Sequence, residues 1–81
     1  MRAARLNSSV IARIAYDEAT RVLDIWFHDS GRYCYFDVPP EIYDGLRNAS
    51  SAGRYFANAI KSRFRCSFDP ERKKFRPVGV R

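Results

Sequence analysis

The sequence predicts an α+β domain: a three-stranded antiparallel meander followed by two helices, with a short C-terminal strand or hairpin as an open addition. Three observations predict it. Apolar and polar residues alternate with a period of two over residues 9–16, 21–28 and 32–38. Turn-forming residues, Asp17-Glu18-Ala19-Thr20 and Asp29-Ser30-Gly31, separate those three runs. After Pro39-Pro40 the apolar spacing changes to that of a helix.

In the first strand, Val10, Ala12, Ile14 and Tyr16 share one face and Arg13 takes the other. In the second, Leu23, Ile25 and Phe27 point one way, and Val22, Asp24, Trp26 and His28 the other. Gly31 supplies the left-handed conformation of the hairpin loop that follows. The third strand sets Tyr33, Tyr35 and Asp37 on one face and Cys34, Phe36 and Val38 on its opposite. Two tyrosines two residues apart therefore lie side by side on one sheet face.

Pro39-Pro40 ends that strand and opens a helix, because proline at the first helical position gives up no needed N–H. Ile42, Tyr43, Leu46 and Ala49 form its apolar stripe. Ser50 or Ser51 can cap the second helix, which is expected to run to about residue 64. It buries Ala52, Phe56, Ala59 and Ile60 and turns Arg54, Asn58, Lys61 and Arg65 outward. Beyond it Phe64, Cys66 and Phe68 alternate, residues 69–71 read as a turn, and residues 73–76 return as a strand. An unordered basic tail is the alternative.

The 81 residues suffice for one domain, and at this size folding buries only about 60–65% of the unfolded surface. A hydrophobic content of 46%, with 15% aromatic, supports a packed core. No apolar run approaches the ~20 residues that span a bilayer, and the N-terminus lacks the apolar region of a secretory signal. A cytoplasmic protein without a membrane partner is expected. Cys34 and Cys66 form no CxxC pair and have no metal-ligand spacing with His28, the single histidine. No metal or other cofactor is implied.

Charge is distributed unevenly. Residues 1–60 carry seven Lys/Arg and seven Asp/Glu. The whole net charge of +6 lies in residues 61–81, with eight Lys/Arg against Asp69 and Glu71. Arg54, Lys61, Arg63 and Arg65, with Arg72, Lys73, Lys74 and Arg76, are therefore either a phosphate-tracking patch or a solvated surface. Tyr33 and Tyr35 are either a platform for unpaired bases or part of the core, depending on which sheet face the helices cover. Catalytic machinery is not in evidence. His28 has no nucleophile beside it, Asp17, Glu18 and Asp24 form no spaced acid/base pair, and Ser8-Ser9 read as a turn. No enzyme and no small-molecule substrate are expected.

One ordered set of residues adds a resemblance. It comprises Ser8-Ser9, Ile11, Ile14, Tyr16-Asp17, Leu23, Ile25, Phe27, Gly31, Tyr33, Tyr35 and Val38-Pro39. Ile42-Tyr43, Leu46, Ala49-Ser50-Ser51, Gly53, Tyr55-Phe56 and Ile60 continue it. At these spacings the chain resembles the KTSC domain family over residues 8–64, leaving residues 65–81 as a basic C-terminal segment. The resemblance implies a short bacterial module that occurs alone and at the C-terminus of some lysyl-tRNA synthetases. It has no assigned function, though RNA binding has been suggested for it, which points first to Tyr33 and Tyr35.

Together these readings give a small non-catalytic binding module whose partner is nucleic acid, RNA ahead of duplex DNA. The alternative is a protein-interaction or appendage domain that uses an exposed sheet face or edge, with Trp26, Tyr33 and Tyr35 as its contacts. Residue pattern leaves the oligomeric state open.

Overall fold

The computed structural model describes residues 2–69. It contains five strands and two helices: β1 (Arg2–Arg5), β2 (Ile11–Asp17), β3 (Val22–Phe27), β4 (Arg32–Tyr35), α1 (Pro40–Asn48), α2 (Ala52–Ala59) and β5 (Cys66–Asp69). All neighbours are antiparallel and the sheet order is the chain order, β1-β2-β3-β4-β5. The expected meander is thus the centre of a wider sheet. β1 extends it on one side and β5, after the helices, on the other.

Cross-strand pairing decides the two faces. Ile14 lies opposite Ile25, Tyr16 opposite Leu23, Leu23 opposite Tyr35, and Ile25 opposite Tyr33. Residues opposite one another share a face, so this row belongs with the apolar side of both helices. Ile11, Ile14, Tyr16, Leu23, Ile25, Tyr35 and Val38 are buried together with Tyr43 and Leu46 of α1, Ala52 of α2, and Ile60 just beyond α2. The tyrosine face is the covered face.

Two local features override simple alternation. The register of β2 on β3 shifts between Ile11 and Arg13, so Ile11 faces Phe27 while Arg13 faces Trp26. This bulge turns Ile11 into the core, and Val10, expected inside, is 47% exposed. At the end of β4, Asp37 adopts φ 59. That left-handed residue breaks the pleat, and Val38, expected on the face opposite Tyr35, also turns inward and is fully buried. The N–H of Val38 then donates to the carbonyl of Arg21 at 2.9 Å, closing the corner against the β2–β3 turn.

Tyr16 connects this corner to α1. Its ring stacks on Tyr43, with centroids 5.4 Å apart and planes 18° from parallel. Its hydroxyl donates to the buried carbonyl of Val38. α1 opens as expected with Pro40 at its first turn, and the Ser51 hydroxyl caps α2 by accepting from the N–H of Arg54 at 3.3 Å. The two helices meet closely at Gly45, where the Tyr55 ring occupies the space a Cβ would need.

α2 ends at Ala59, well short of residue 64. Lys61 donates its N–H to Phe56, Arg63 donates to Ile60, and Ser62 adopts φ 68 between them. The left-handed residue stops the helix without a glycine or proline to announce it. Lys61 and Arg65 consequently lie outside α2, contrary to the helical face expected for them. Asp69, expected to open a turn, is instead the last residue of β5; the rest of that turn and the strand at residues 73–76 fall outside the described residues. No helix among the described residues is long and apolar enough to cross a membrane.

Burial pushes the phenol pKa of both Tyr16 and Tyr35 upward, and at Tyr35 the adjacent Cys66 and Tyr33 add to it. A raised phenol pKa means that the folded state favours the neutral ring. Its contribution is full below the ordinary value of 10 and is lost as pH climbs through the raised values. Melting temperature is therefore expected to fall above about pH 10 in a titration followed by circular dichroism. Gly45→Ala is expected to cost about 1–3 kcal/mol in urea unfolding by overpacking, despite the helix preference for alanine. Adding Tyr55→Ala should abolish most of that penalty in a double-mutant cycle.

Candidate nucleic-acid interface

The two tyrosines do not form an open platform. Tyr35 is only 4% exposed. Tyr33 is partly buried, with Tyr35 stacked beside it at 6.3 Å and Phe68 of β5 tilted against it at 4.6 Å. The return of β5 after the helices supplies the Phe68 ring, placing Tyr33 between two aromatic neighbours. Of the two alternatives for the pair, a platform on an exposed sheet face or part of the core, the second holds: Tyr35 is core, and Tyr33 is the rim of that core.

What the tyrosines do form is part of a four-ring box. Phe27 meets Tyr33 edge-on at 5.4 Å and 89°, and meets Phe56 of α2 at 5.1 Å and 71°. Tyr35 meets the same Phe56 at 5.8 Å and 74°. The circuit Phe27–Tyr33–Tyr35–Phe56 closes on itself at the border between the sheet and α2. Edge-to-face packing of this kind is the arrangement that ring quadrupoles favour. The packed rings line an open groove of about 260 Å³, completed by Ser30 from the β3–β4 hairpin and by Lys61.

Lys61 also lines a second, polar depression of about 460 Å³ with Ala57, Asn58, Ser62 and Arg63. It therefore stands on the ridge between an aromatic groove and a polar hollow. The left-handed Ser62 produces this placement by folding the chain back after α2. Arg63 donates from Nε to the carbonyl of Asn58 at 3.1 Å, which holds its guanidinium over the last turn of α2. Arg54 lies exposed one turn before Asn58 on the same helix.

Three of the described arginines, Arg2, Arg32 and Arg65, pair with carboxylates. Arg2 pairs with Glu18 at 3.1 Å and with Asp44 at 2.6 Å, and its guanidinium lies over the Tyr43 ring. Arg32 pairs with Asp24 at 3.2 Å. Arg65 reaches Asp37 at 3.3 Å and stacks on Phe36, although both charged groups are largely solvated and such a pair is worth at most about 1 kcal/mol. Among the described residues, no carboxylate pairs with Arg54, Lys61 or Arg63. Arg72, Lys73, Lys74 and Arg76 lie outside the described residues. Of the eight basic residues named from sequence, the structure thus brings together Lys61 and Arg63 directly, with Arg54 on the adjoining helix and Arg65 drawn to Phe36 and Asp37.

The chemistry-bearing residues considered for catalysis have structural employment. The Ser8 hydroxyl accepts from the N–H groups of Val10 and Ile11, each at 3.1 Å, and forms the turn into β2. His28 donates from Nε2 to the Ser8 carbonyl at 2.9 Å. Both cysteines are free thiols, and the described residues hold no cluster of three or more metal-ligating side chains.

The opposite sheet face is uncovered by either helix. One cross-strand row on it reads Arg5, Arg13, Trp26, Arg32 from β1 to β4. The Arg13 guanidinium lies 4.8 Å from the Trp26 ring centre and that of Arg32 lies 6.0 Å from it. Sequence reasoning singled out Trp26 but missed this row, because cross-strand register is invisible without the bulge at Ile11–Arg13.

The family model for the KTSC domain matches residues 7–64. The chain belongs to the KTSC domain family. Its fold matches the crystal structure of a KTSC domain protein from Yersinia pestis with a TM-score of 0.81 and 35% identity, covering 84% of this chain and 96% of that one. A Tsukamurella paurometabola protein is 40% identical over 60 residues, 74% of this KTSC chain and 90% of its own. A lysine–tRNA ligase of Nostoc punctiforme is 40% identical over 59 residues, spanning 73% of this chain and about a tenth of the ligase. β1 and β5 lie outside the residues matched by the family model and form the two edges of the sheet.

Tyr35→Ala is expected to lose about 3–5 kcal/mol in chemical unfolding, as for other buried aromatics. Tyr33→Ala, already partly solvated, should lose only about 1–2 kcal/mol.

Proposed function

We propose that this KTSC domain is a non-catalytic nucleic-acid-binding module that neutralises phosphates of single-stranded RNA with the cations following α2. The observation that carries this reading is that Lys61 and Arg63, just after α2, and Arg54, in its first turn, have no carboxylate partner among the described residues. Elsewhere on the described surface, Arg2, Arg32 and Arg65 are paired with acids, while Arg5, Arg13, Arg21 and Arg47 are dispersed over β1, β2, the β2–β3 turn and α1. Unpaired cations beside a polar hollow are free to replace the counterions of a phosphate backbone. Arg72, Lys73, Lys74 and Arg76 follow in the sequence and would add to the same positive charge. The presence of a similar segment in a protein named as a lysine–tRNA ligase supports an RNA ligand.

A second reading uses the uncovered sheet face. Trp26, flanked by Arg13 and Arg32, is an amphipathic centre of the kind enriched at protein interfaces. Tyr33 and Tyr35 leave the contact set of that reading, since they lie on the helix-covered face. A partner docked there would meet an appendage domain, and the contact would be largely indifferent to salt.

The two readings separate in one experiment. Binding of single-stranded RNA is measured at two salt concentrations for the native chain, for Lys61→Glu/Arg63→Glu, and for a variant with Arg72, Lys73, Lys74 and Arg76 changed to Glu. Neutralising about three single-strand phosphates gives a log–log salt slope near −2. Either charge reversal should weaken binding and flatten that slope, while Arg13→Glu and Trp26→Ala leave it unchanged. RNA affinity that ignores salt and both reversals removes the phosphate reading.

A further inference from the structure

The four-ring box is not needed for phosphate binding, yet its shape and charge select a ligand. Its volume, about 260 Å³, lies below the ~300–1,000 Å³ of pockets that take drug-sized molecules. That volume is enough for a flat ring laid along the groove. It is lined by Phe27, Tyr33, Tyr35 and Phe56, packed edge-to-face against one another, and by Ser30 of the β3–β4 hairpin.

Aromatic boxes of this kind can also take quaternary ammonium groups, which the negative ring faces attract. Here Lys61 stands at the mouth, and its ammonium repels a second cation. The same lysine attracts an anion, and it faces the polar hollow shared with Asn58 and Arg63 on its other side. The required ligand is therefore a planar aromatic group joined by a short link to a negative charge. A nucleotide within a single strand has that construction. A base paired in a duplex does not, because its ring is held in the stack.

We infer that the box takes one unpaired nucleobase of a single-stranded RNA, with the adjoining phosphate held between Lys61 and Arg63. This rests on the phosphate-binding reading and adds the component that discriminates single strands from duplexes. The tyrosines thus contribute ring edges to the wall of a pocket, in place of ring faces to a platform. Ser30, on the hairpin lip, can meet the base edge by hydrogen bonding.

The test compares two probes of equal length: an abasic ribose-phosphate hexamer, and the same hexamer carrying a single adenine at its centre. Both present the same phosphates. The adenine-bearing probe is expected to bind about 5- to 150-fold more tightly, the range for one base stacked on aromatic side chains. Ser30→Leu places a bulky group in the groove from the half-buried Ser30 of the β3–β4 hairpin, and should abolish this preference while leaving the salt slope intact. Circular dichroism establishes that the variant folds; if it does not, the two probes on the native chain still decide the matter. Equal affinities with a normal salt slope overturn the base pocket and leave the phosphate reading standing, whether a protein side chain or nothing fills the box. Absence of binding by both probes overturns both.

Discussion

The domain depends on how one buried tyrosine satisfies both of its chemical characters. Tyr16 is fully buried, so its ring needs apolar neighbours and its hydroxyl needs a partner. Tyr43 supplies the first and the Val38 carbonyl the second. Without that hydroxyl, a carbonyl at a sealed corner would be buried unpaired, at a cost of about 1–3 kcal/mol. Through these two contacts the sheet determines where α1 lies. α1 in turn receives α2 at Gly45, where only the absence of a side chain lets the Tyr55 ring approach. The position of α2 then sets Phe56 and Lys61 against the sheet border, so the groove inherits its geometry from a contact at the opposite end of the core.

Much of this architecture is legible in the residues alone, and the exceptions share a cause. Strands β3 and β4 alternate regularly, and their faces follow from Leu23, Ile25, Tyr33 and Tyr35 without correction. The proline start of α1 and the serine cap of α2 also follow from local chemistry. Three errors arise where the backbone changes its period: the bulge that exchanges Val10 for Ile11, the left-handed Asp37 that inverts Val38, and the left-handed Ser62 that ends α2 early. None of these positions holds glycine, the usual residue for such conformations. Tertiary contacts impose them, and a reading built on periodicity cannot anticipate them. β1 escapes notice for a different reason: Arg2-Ala3-Ala4-Arg5 has little β propensity and is held as a strand by pairing with β2 and by the Arg2 clamp on Asp44.

The candidate site is legible in a different proportion. Composition locates its charge, because the net excess falls in residues 61–81. The pairing of charges is a property of the fold alone. Arg65 is sequence neighbour to Arg63, yet it is drawn to Asp37, 28 residues away. The tyrosine pair shows the converse. Its spacing announced a shared face correctly, but its meaning required knowing which face α1 and α2 cover. Once Phe56 comes down beside Tyr35 and Phe68 beside Tyr33, two rings that looked like a surface become the wall of a groove.

β1 has a consequence for how copies of this domain behave at high concentration. β2 is the longest strand, seven residues, and it carries Ile11, Ile14 and Tyr16. Left at the border of the sheet it would offer a long run of unpaired peptide groups to any neighbour able to add a strand. β1 occupies that border instead, with only four residues and an arginine at each end. A short edge bearing charge is a poor template for further strand addition, because like charges meet when two copies approach. The short, charged β1 thus makes this border of the sheet a poor starting point for fibrous association.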